Sequence, residues 1–333
     1  MNARALLGLL ALVVLGILAW ELRWVLLVLF GAVVLAVALD VPVAALRRLT
    51  RLNRPLGLLV VVLLLGWGGW KLGEQLLPEL VEQVDQFMQL VPALVNRLSE
   101  LLGGVAALQS LEQRLAGFAT LEKLQPIGAQ LLGFAGGAAS GTIQLLLMVL
   151  LALLLVLDPR SHQRLLLAIT PSRFRPLISA VLSECRQALG GWLAGMTLSA
   201  SAVFLLTWAG LAALKVPLAL LSALVCGVLT FVPTIGPTVA SLLPLAVSLL
   251  ASPALALQVL ILRLVIQNGE AFLLTPLLLS RTVNLLPTVA LMAQLSLGAL
   301  LGLPGVLLAL PLVVVLQVFC QRLLVEQVMD RWI

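Results

Sequence analysis

Residues 5–20 and 24–41 read ALLGLLALVVLGILAW and WVLLVLFGAVVLAVALDV, two apolar runs parted only by Glu21, Leu22 and Arg23. Both are continuous rather than alternating, so each reads as a helix and not as a half-buried strand. The short polar break predicts two antiparallel helices joined by a tight turn. The rest of the chain has the same character: 62% of its 333 residues are hydrophobic, 10% are charged, and the mean hydropathy is +1.18. Soluble domains carry about 25% charged residues, and no soluble core could hide this much apolar surface. Lipid is therefore the expected solvent, and continuous apolar runs in lipid are helices rather than barrel strands. The expected fold is an all-α polytopic membrane protein with roughly six to eight spans.

The net charge of +6 does not read as a nucleic-acid surface, because the basic residues have no interleaved aromatics and fall in short clusters between apolar runs. Arg47, Arg48, Arg51 and Arg54 form one cluster, and Arg160, Arg164, Arg173, Arg175 and Arg186 lie along a second. Such clusters stay on the cytoplasmic side, which places both termini there as well. Cys185, Cys226 and Cys320 are far apart and match no metal-ligand spacing, so free thiols are expected. The N-terminal run follows Arg4 without a small-residue cleavage site and reads as a retained span.

Residues 1–73 form the expected N-terminal membrane part, with a third span over 56–73 and Trp67 and Trp70 near its end, where indoles favour the interface. From 74 to 140 the pattern turns amphipathic. Leu76, Leu77, Leu80, Val84, Phe87, Met88 and Val91 recur at helical spacing between Glu79, Glu82, Asp85 and Gln86. This stretch predicts an extracytoplasmic insertion of helices lying on the membrane or packed on neighbours. Residues 141–333 form the expected core: a span over 142–157, a cytoplasmic basic connection over 158–189, a span over 190–213 and another over 254–276.

Two further apolar stretches, 217–232 and 287–303, are short and end at prolines. Sixteen helical residues reach about 24 Å, less than the roughly 30 Å core, so these segments either tilt, thin the bilayer, or enter and return. They also resemble each other. Pro217, Gly227, Pro233, Gly236 and Pro244 mark the first, and Pro287, Gly298, Pro304, Gly305 and Pro311 the second. A span plus a hairpin, twice, in opposite orientations, is a recurring transporter plan.

The polar residues of 254–276 are the most informative. Arg263, Gln267 and Glu270 follow at spacings of four and three, which puts them on one helix face with Asn268 beside them. A charge at the centre of a membrane helix costs roughly 2.5–3.5 kcal/mol on insertion scales, so this face should meet protein or a water-filled cavity. It is a candidate substrate or ion pathway; the alternative is that the charges only neutralise one another or a neighbouring subunit. A second candidate is FVPTIGPT at 231–238, where Pro233, Gly236 and Pro237 make a turn that either aims Thr234, Thr238 and free carbonyls at a cavity or is only a hairpin tip. Enzyme readings fail on residue type. His162 is the single histidine, Asp40, Asp158 and Asp330 lie at segment ends, and no phosphate-cradling GxxxxGK[ST] loop is present. No cofactor or metal is expected.

With these residues on the page, the C-terminal half resembles the autoinducer-2 exporter (AI-2E) family of bacterial membrane transporters. The resemblance runs through GWLAGMTLSAS at 191–201, VPLALLSALVCGVLTFVPTIGPTVASLLP at 216–244, IQNGEAFLLTP at 266–276 and LGLPGVLLALPL at 301–312. By that resemblance the family's proline–glycine turn falls on Pro233, Gly236 and Pro237, its Gln-x-x-Glu element on Gln267 and Glu270 before Pro276, and its closing element on Gly305, Ala309 and Pro311. Thr234 stands where the family often has Tyr or Asn, and Leu286 where His or Pro is common. The resemblance implies a homo-oligomer, as large as a pentamer, in the bacterial inner membrane. It implies export of a signalling molecule or sodium or proton antiport. The expected function is thus a secondary transporter exporting a small polar solute, against a non-transporting membrane scaffold.

Overall fold

The computed structural model describes residues 14, 16–18, 20–101, 139–232, 235–274 and 286–325. The described residues form helices and no strands, and five helices are long and apolar enough to cross a membrane, or six if a bent pair counts as one span. The elements are α1 (Arg23–Thr50), α2 (Arg54–Leu101), α3 (Ala139–Leu157), α4 (Pro159–Ala168), α5 (Arg175–Ala213), α6 (Ala219–Leu229), α7 (Ile235–Ala251), α8 (Pro253–Gly269) and α9 (Pro287–Phe319). Short π-helical segments follow α8 at Glu270–Leu274 and α9 at Cys320–Val325.

Three boundaries differ from the sequence expectation. At Glu21–Arg23 only Leu22 leaves helical geometry (φ −88°, ψ 9°), and the bonds Leu22 N–H to Leu18 O and Leu26 N–H to Leu22 O carry the helical pattern across it. A one-residue break is shorter than the two to five residues that join antiparallel helices, so this is a bend and not the expected turn. The third span and the amphipathic stretch are one 48-residue helix, α2, with Pro78 and Pro92 inside it. The later part of the basic connection is likewise continuous with the span that follows it, as the 39-residue α5.

The amphipathic part of α2 packs on its neighbours. Phe87 and Leu90 lie against the cluster formed by Leu211, Val216, Leu218, Val247 and Val259. Gln83 Oε1 also accepts the Leu221 N–H at 2.8 Å. Leu218, at the N-cap of α6, supplies no side-chain cap, so Gln83 satisfies from outside one of the donors that a helix start leaves open.

Both short apolar stretches enter and return. In the first hairpin α6 runs back along α5: Leu218 lies with Leu211, and eight residues on Cys226 lies with Val203. The chain then reverses, and α7 retraces the path, with Ala240 beside Cys226 and Val247 beside Leu211. A Cβ on Gly236 would sit 2.8 Å from the Leu229 carbonyl carbon and closer to its oxygen, so only glycine fits this turn. In the second hairpin the reversal is at Gly302, the one non-helical residue inside α9 (φ 65°, ψ −148°). A Cβ on Gly305 would meet the Leu297 carbonyl carbon at 2.7 Å, whereas in an unbroken helix residues eight apart lie about 12 Å apart.

The hairpins enter from opposite ends of α5. The first starts beside Leu211. The second is rooted near the other end, where Val315 O lies 3.9 Å from Cys185 Sγ and Leu310 packs with Leu189 and Trp192. Thirteen residues separate Val315 from Gly302 and fourteen separate Cys185 from Ser199, about 20 Å of helix in each case. The tip of the second hairpin therefore reaches toward the depth of Ser199.

Candidate permeation site

Ser199, Val203 and Thr207 follow at spacings of four and form one buried stripe on α5. Two of them meet the charges of α8. Arg263 is only 3% exposed; its Nη1 donates to Thr207 Oγ1 at 2.9 Å and its Nε to Ser241 Oγ on α7 at 3.0 Å. Ser241 in turn donates to Pro237 O at 2.7 Å, so the charge is tied through one hydroxyl to the turn of the first hairpin. Glu270 opens the π-helical segment. Its Oε1 accepts from Ser199 Oγ at 2.7 Å and its Oε2 from Gln267 Nε2 at 3.1 Å. π-helical turns inside helices are frequent at functional sites.

The two charges are thus held apart. Arg263 donates to two neutral hydroxyls, and Glu270 accepts from a hydroxyl and an amide. In place of the alternative, mutual neutralisation, there are two separate polar knots. Ile266 and Val203 fill the layer between them with Cys226 and Ala240. From Ala240 to Gly236, Val203 to Ser199 and Ile266 to Glu270 is four residues each, about 6 Å. The tip of the first hairpin, the Ser199 hydroxyl and the Glu270 carboxylate therefore converge at one depth.

The remaining sequence candidates divide. Gln267 joins Glu270, but Asn268 is exposed on the helix surface and donates to Leu264 O at 2.7 Å, so it is not part of this group. Thr238 is exposed in the first turns of α7, while Gly236 is buried at the hairpin turn. Gly305 closes the second hairpin and Pro311 lies within α9. Pro233, Thr234 and Pro276 lie outside the described residues.

Sequence reasoning missed four residues. Ser199, Thr207 and Ser241 have no spacing that marks them, since hydroxyls are common in membrane helices and tertiary packing selects these three. Gln294 is the fourth. It is 3% exposed on the first arm of the second hairpin, and neither its Nε2 nor its Oε1 has a partner. It lies about 6 Å closer to the tip than Ala290, which shares a core cluster with Trp192 and Met196 of α5. An amide buried without partners costs about 1–3 kcal/mol per group. An isolated polar side chain inside an apolar run is the one signal by which the sequence could have shown it.

Helices of this length and hydropathy, with two returning hairpins around a buried polar group, define a multi-pass integral membrane protein. The profile described as AI-2E family transporter matches residues 9–324, and the chain belongs to the AI-2E family. It is similar to two Bacillus subtilis (strain 168) proteins named "Putative transport protein", YrrI and YueF. YrrI is 28% identical over 150 residues, 45% of this chain and 42% of the relative. YueF is 23% identical over 214 residues, 64% of this chain and 58% of the relative. It is also similar to the equally named MT0215 of Mycobacterium tuberculosis (strain CDC 1551 / Oshkosh), 31% identical over 243 residues, 69% of this chain and 66% of the relative. The chain thus spans between two fifths and two thirds of the length of these curated relatives.

Proposed function

We propose that the protein is a secondary transporter that exports a small polar solute, with Glu270, Gln267 and Ser199 forming the binding site between the two hairpin tips. The observation that carries this reading is the convergence of a carboxylate, a hydroxyl, an amide and two returning hairpins at one depth. Intramembrane ionisable groups mark ion and substrate routes, and broken helices meeting near the midplane are the usual place for such a site. The transport names of the relatives and the family agree with it. Gln294 supplies a donor and an acceptor that a polar solute or water can complete.

Glu270 also favours coupling to protons or sodium, because it is not consumed in an ion pair with Arg263. Arg263 lies one layer away and holds the first hairpin through Ser241. In the preferred orientation the basic connections face the cytoplasm of a bacterial inner membrane, and the assembly is a homo-oligomer. A scaffold role is less favoured, since residues 83–90 of the amphipathic stretch are already engaged with the first hairpin.

The test is flux into proteoliposomes under an imposed proton or sodium gradient, followed with an entrapped pH dye. Glu270→Gln keeps one acceptor for Ser199 but removes the charge, and should lower coupled flux at least about tenfold, the effect of losing about 1.4 kcal/mol. Unchanged coupled flux in Glu270→Gln and Ser199→Ala would reject the site.

A further inference from the structure

A second polar group lies away from the hairpin tips. Asp40 of α1 accepts from Arg54 of α2 through one carboxylate oxygen and from Arg186 of α5 through the other. Arg54 Nε also donates to Val156 O at 2.6 Å. Two guanidiniums face one carboxylate, so the group carries a net positive charge, and the charges of Arg47 and Arg160 act on the same place. Each guanidinium has five N–H donors, and these bonds leave donors unused on both.

The group forms part of the wall of a cleft of about 270 Å³ whose lining is otherwise mainly apolar. Phe30, Val33 and Val37 carry the wall along α1 away from Asp40. From Asp40 to Phe30 is ten residues, about 15 Å along the helix axis. This wall therefore runs parallel to the spans, apolar along α1 and cationic beside Asp40.

α4 marks the level of the charged group, since Arg54 donates to Val156 O just before the Asp158 cap of that helix. It turns away from α3 by 90°, and a helix perpendicular to a span lies along the membrane surface. Its sequence, PRSHQRLLLA, is amphipathic, and Leu165 and Leu166 are exposed on it, as in interfacial helices. His162 and Leu166 of this helix line the cleft. The two arginines thus stand at the depth of lipid phosphates.

We propose that this cleft binds an anionic phospholipid, with its phosphate on Arg54 and Arg186 and an acyl chain along Phe30, Val33 and Val37. Arginine suits a phosphate because its planar fork gives two parallel N–H···O bonds. Basic pockets between spans are a known means of holding anionic headgroups. Apolar walls of this length favour a lipid over a soluble anion, which would leave them in contact with water. The proposal is independent of the transport reading.

The experiment measures lipid retained per protomer by mass spectrometry, and thermal unfolding in detergent, after exposure to palmitoyl-oleoyl phosphatidylglycerol, palmitoyl-oleoyl phosphatidylcholine or inorganic phosphate. Wild type should retain the phosphatidylglycerol in preference to the phosphatidylcholine and be stabilised by it, while phosphate alone has no effect. Arg186→Gln should lower retention about tenfold. Val33→Trp, which fills the exposed apolar wall and touches no charge, should do the same, and it decides the matter if Arg186→Gln fails to fold. Equal retention of both lipids, full stabilisation by phosphate alone, or wild-type retention in Val33→Trp would overturn the proposal.

Discussion

Ser199 Oγ on α5 donates to Glu270 Oε1 at 2.7 Å, while eight residues further along α5 Thr207 accepts from Arg263, seven residues earlier in α8. The two contacts run in opposite order along the two helices, so α5 and α8 are antiparallel. Their opposite charges occupy neighbouring layers, each settled by a hydroxyl from the same stripe of α5. An ion pair would have fixed both groups. The hydroxyls leave each charge in place while satisfying its donors or acceptors.

The Arg263 knot should be measurable as a coupling. Thr207 is fully buried, so Thr207→Val takes a hydrogen bond from a buried cation and should destabilise by about 1.5–3 kcal/mol. In an Arg263→Met background the same change should be close to neutral. Unfolding in mixed micelles of the two single variants and the double variant gives the coupling, and additive effects would show that the two side chains act independently.

Both hairpin turns should reject a single methyl group. Gly236→Ala and Gly305→Ala each place a Cβ against a backbone carbonyl that cannot rotate aside. Loss of folded protein on size-exclusion chromatography, or of flux in whatever folds, is expected for both. Gly66→Ala meets nothing within 4 Å and should behave as wild type, helped slightly by alanine's helix propensity.

Gln294 should separate stability from activity. Gln294→Met removes two unpartnered buried polar atoms without opening a large cavity, which should raise the unfolding temperature. The same variant should lower flux if the amide serves the solute or its water, the usual exchange at a binding site. A variant that is more stable and fully active would make Gln294 a packing residue only.

The start of α4 carries a pH dependence. The side-chain hydrogen bond with Ser161, then the Ser161 backbone N–H, then the charges of Arg164 and His162, hold the Asp158 carboxyl below its usual value of 3.8. A depressed folded value means that the capping contribution is complete above the unfolded value and is lost as pH falls through the folded one. Amide exchange at Ser161 should therefore stay slow down to pH values below 3.8 and then rise. Asp158→Asn should remove that transition.

Much of this fold was legible because apolar length and proline–glycine punctuation are local signals. The shortness of 217–232 and 287–303 left return as one of the options, and Gly236 permits the close approach at the first turn while Gly302 breaks the second helix. The Gln267–Glu270 pair was readable from a three-residue spacing. Spacing alone did not separate Asn268, which sits one helical step round from Gln267 and bonds its own backbone. Nor did it mark the hydroxyl partners, because Ser199, Thr207 and Ser241 are chosen by how three helices pack. The third span and the amphipathic stretch form one helix because a change from apolar to amphipathic pattern alters what a helix faces and not whether it continues. Asp40, Arg54 and Arg186 stayed hidden as a group because 146 residues separate the first from the last.

Aqueous access to Gln267 is the most direct test of the permeation site. Gln267→Cys, in a background where Cys185, Cys226 and Cys320 are replaced by serine or alanine, should react with a charged methanethiosulfonate reagent added to one side of sealed proteoliposomes, and an imposed ion gradient should change the rate. Reaction only with a lipid-soluble maleimide, under every gradient and from both sides, would contradict the site.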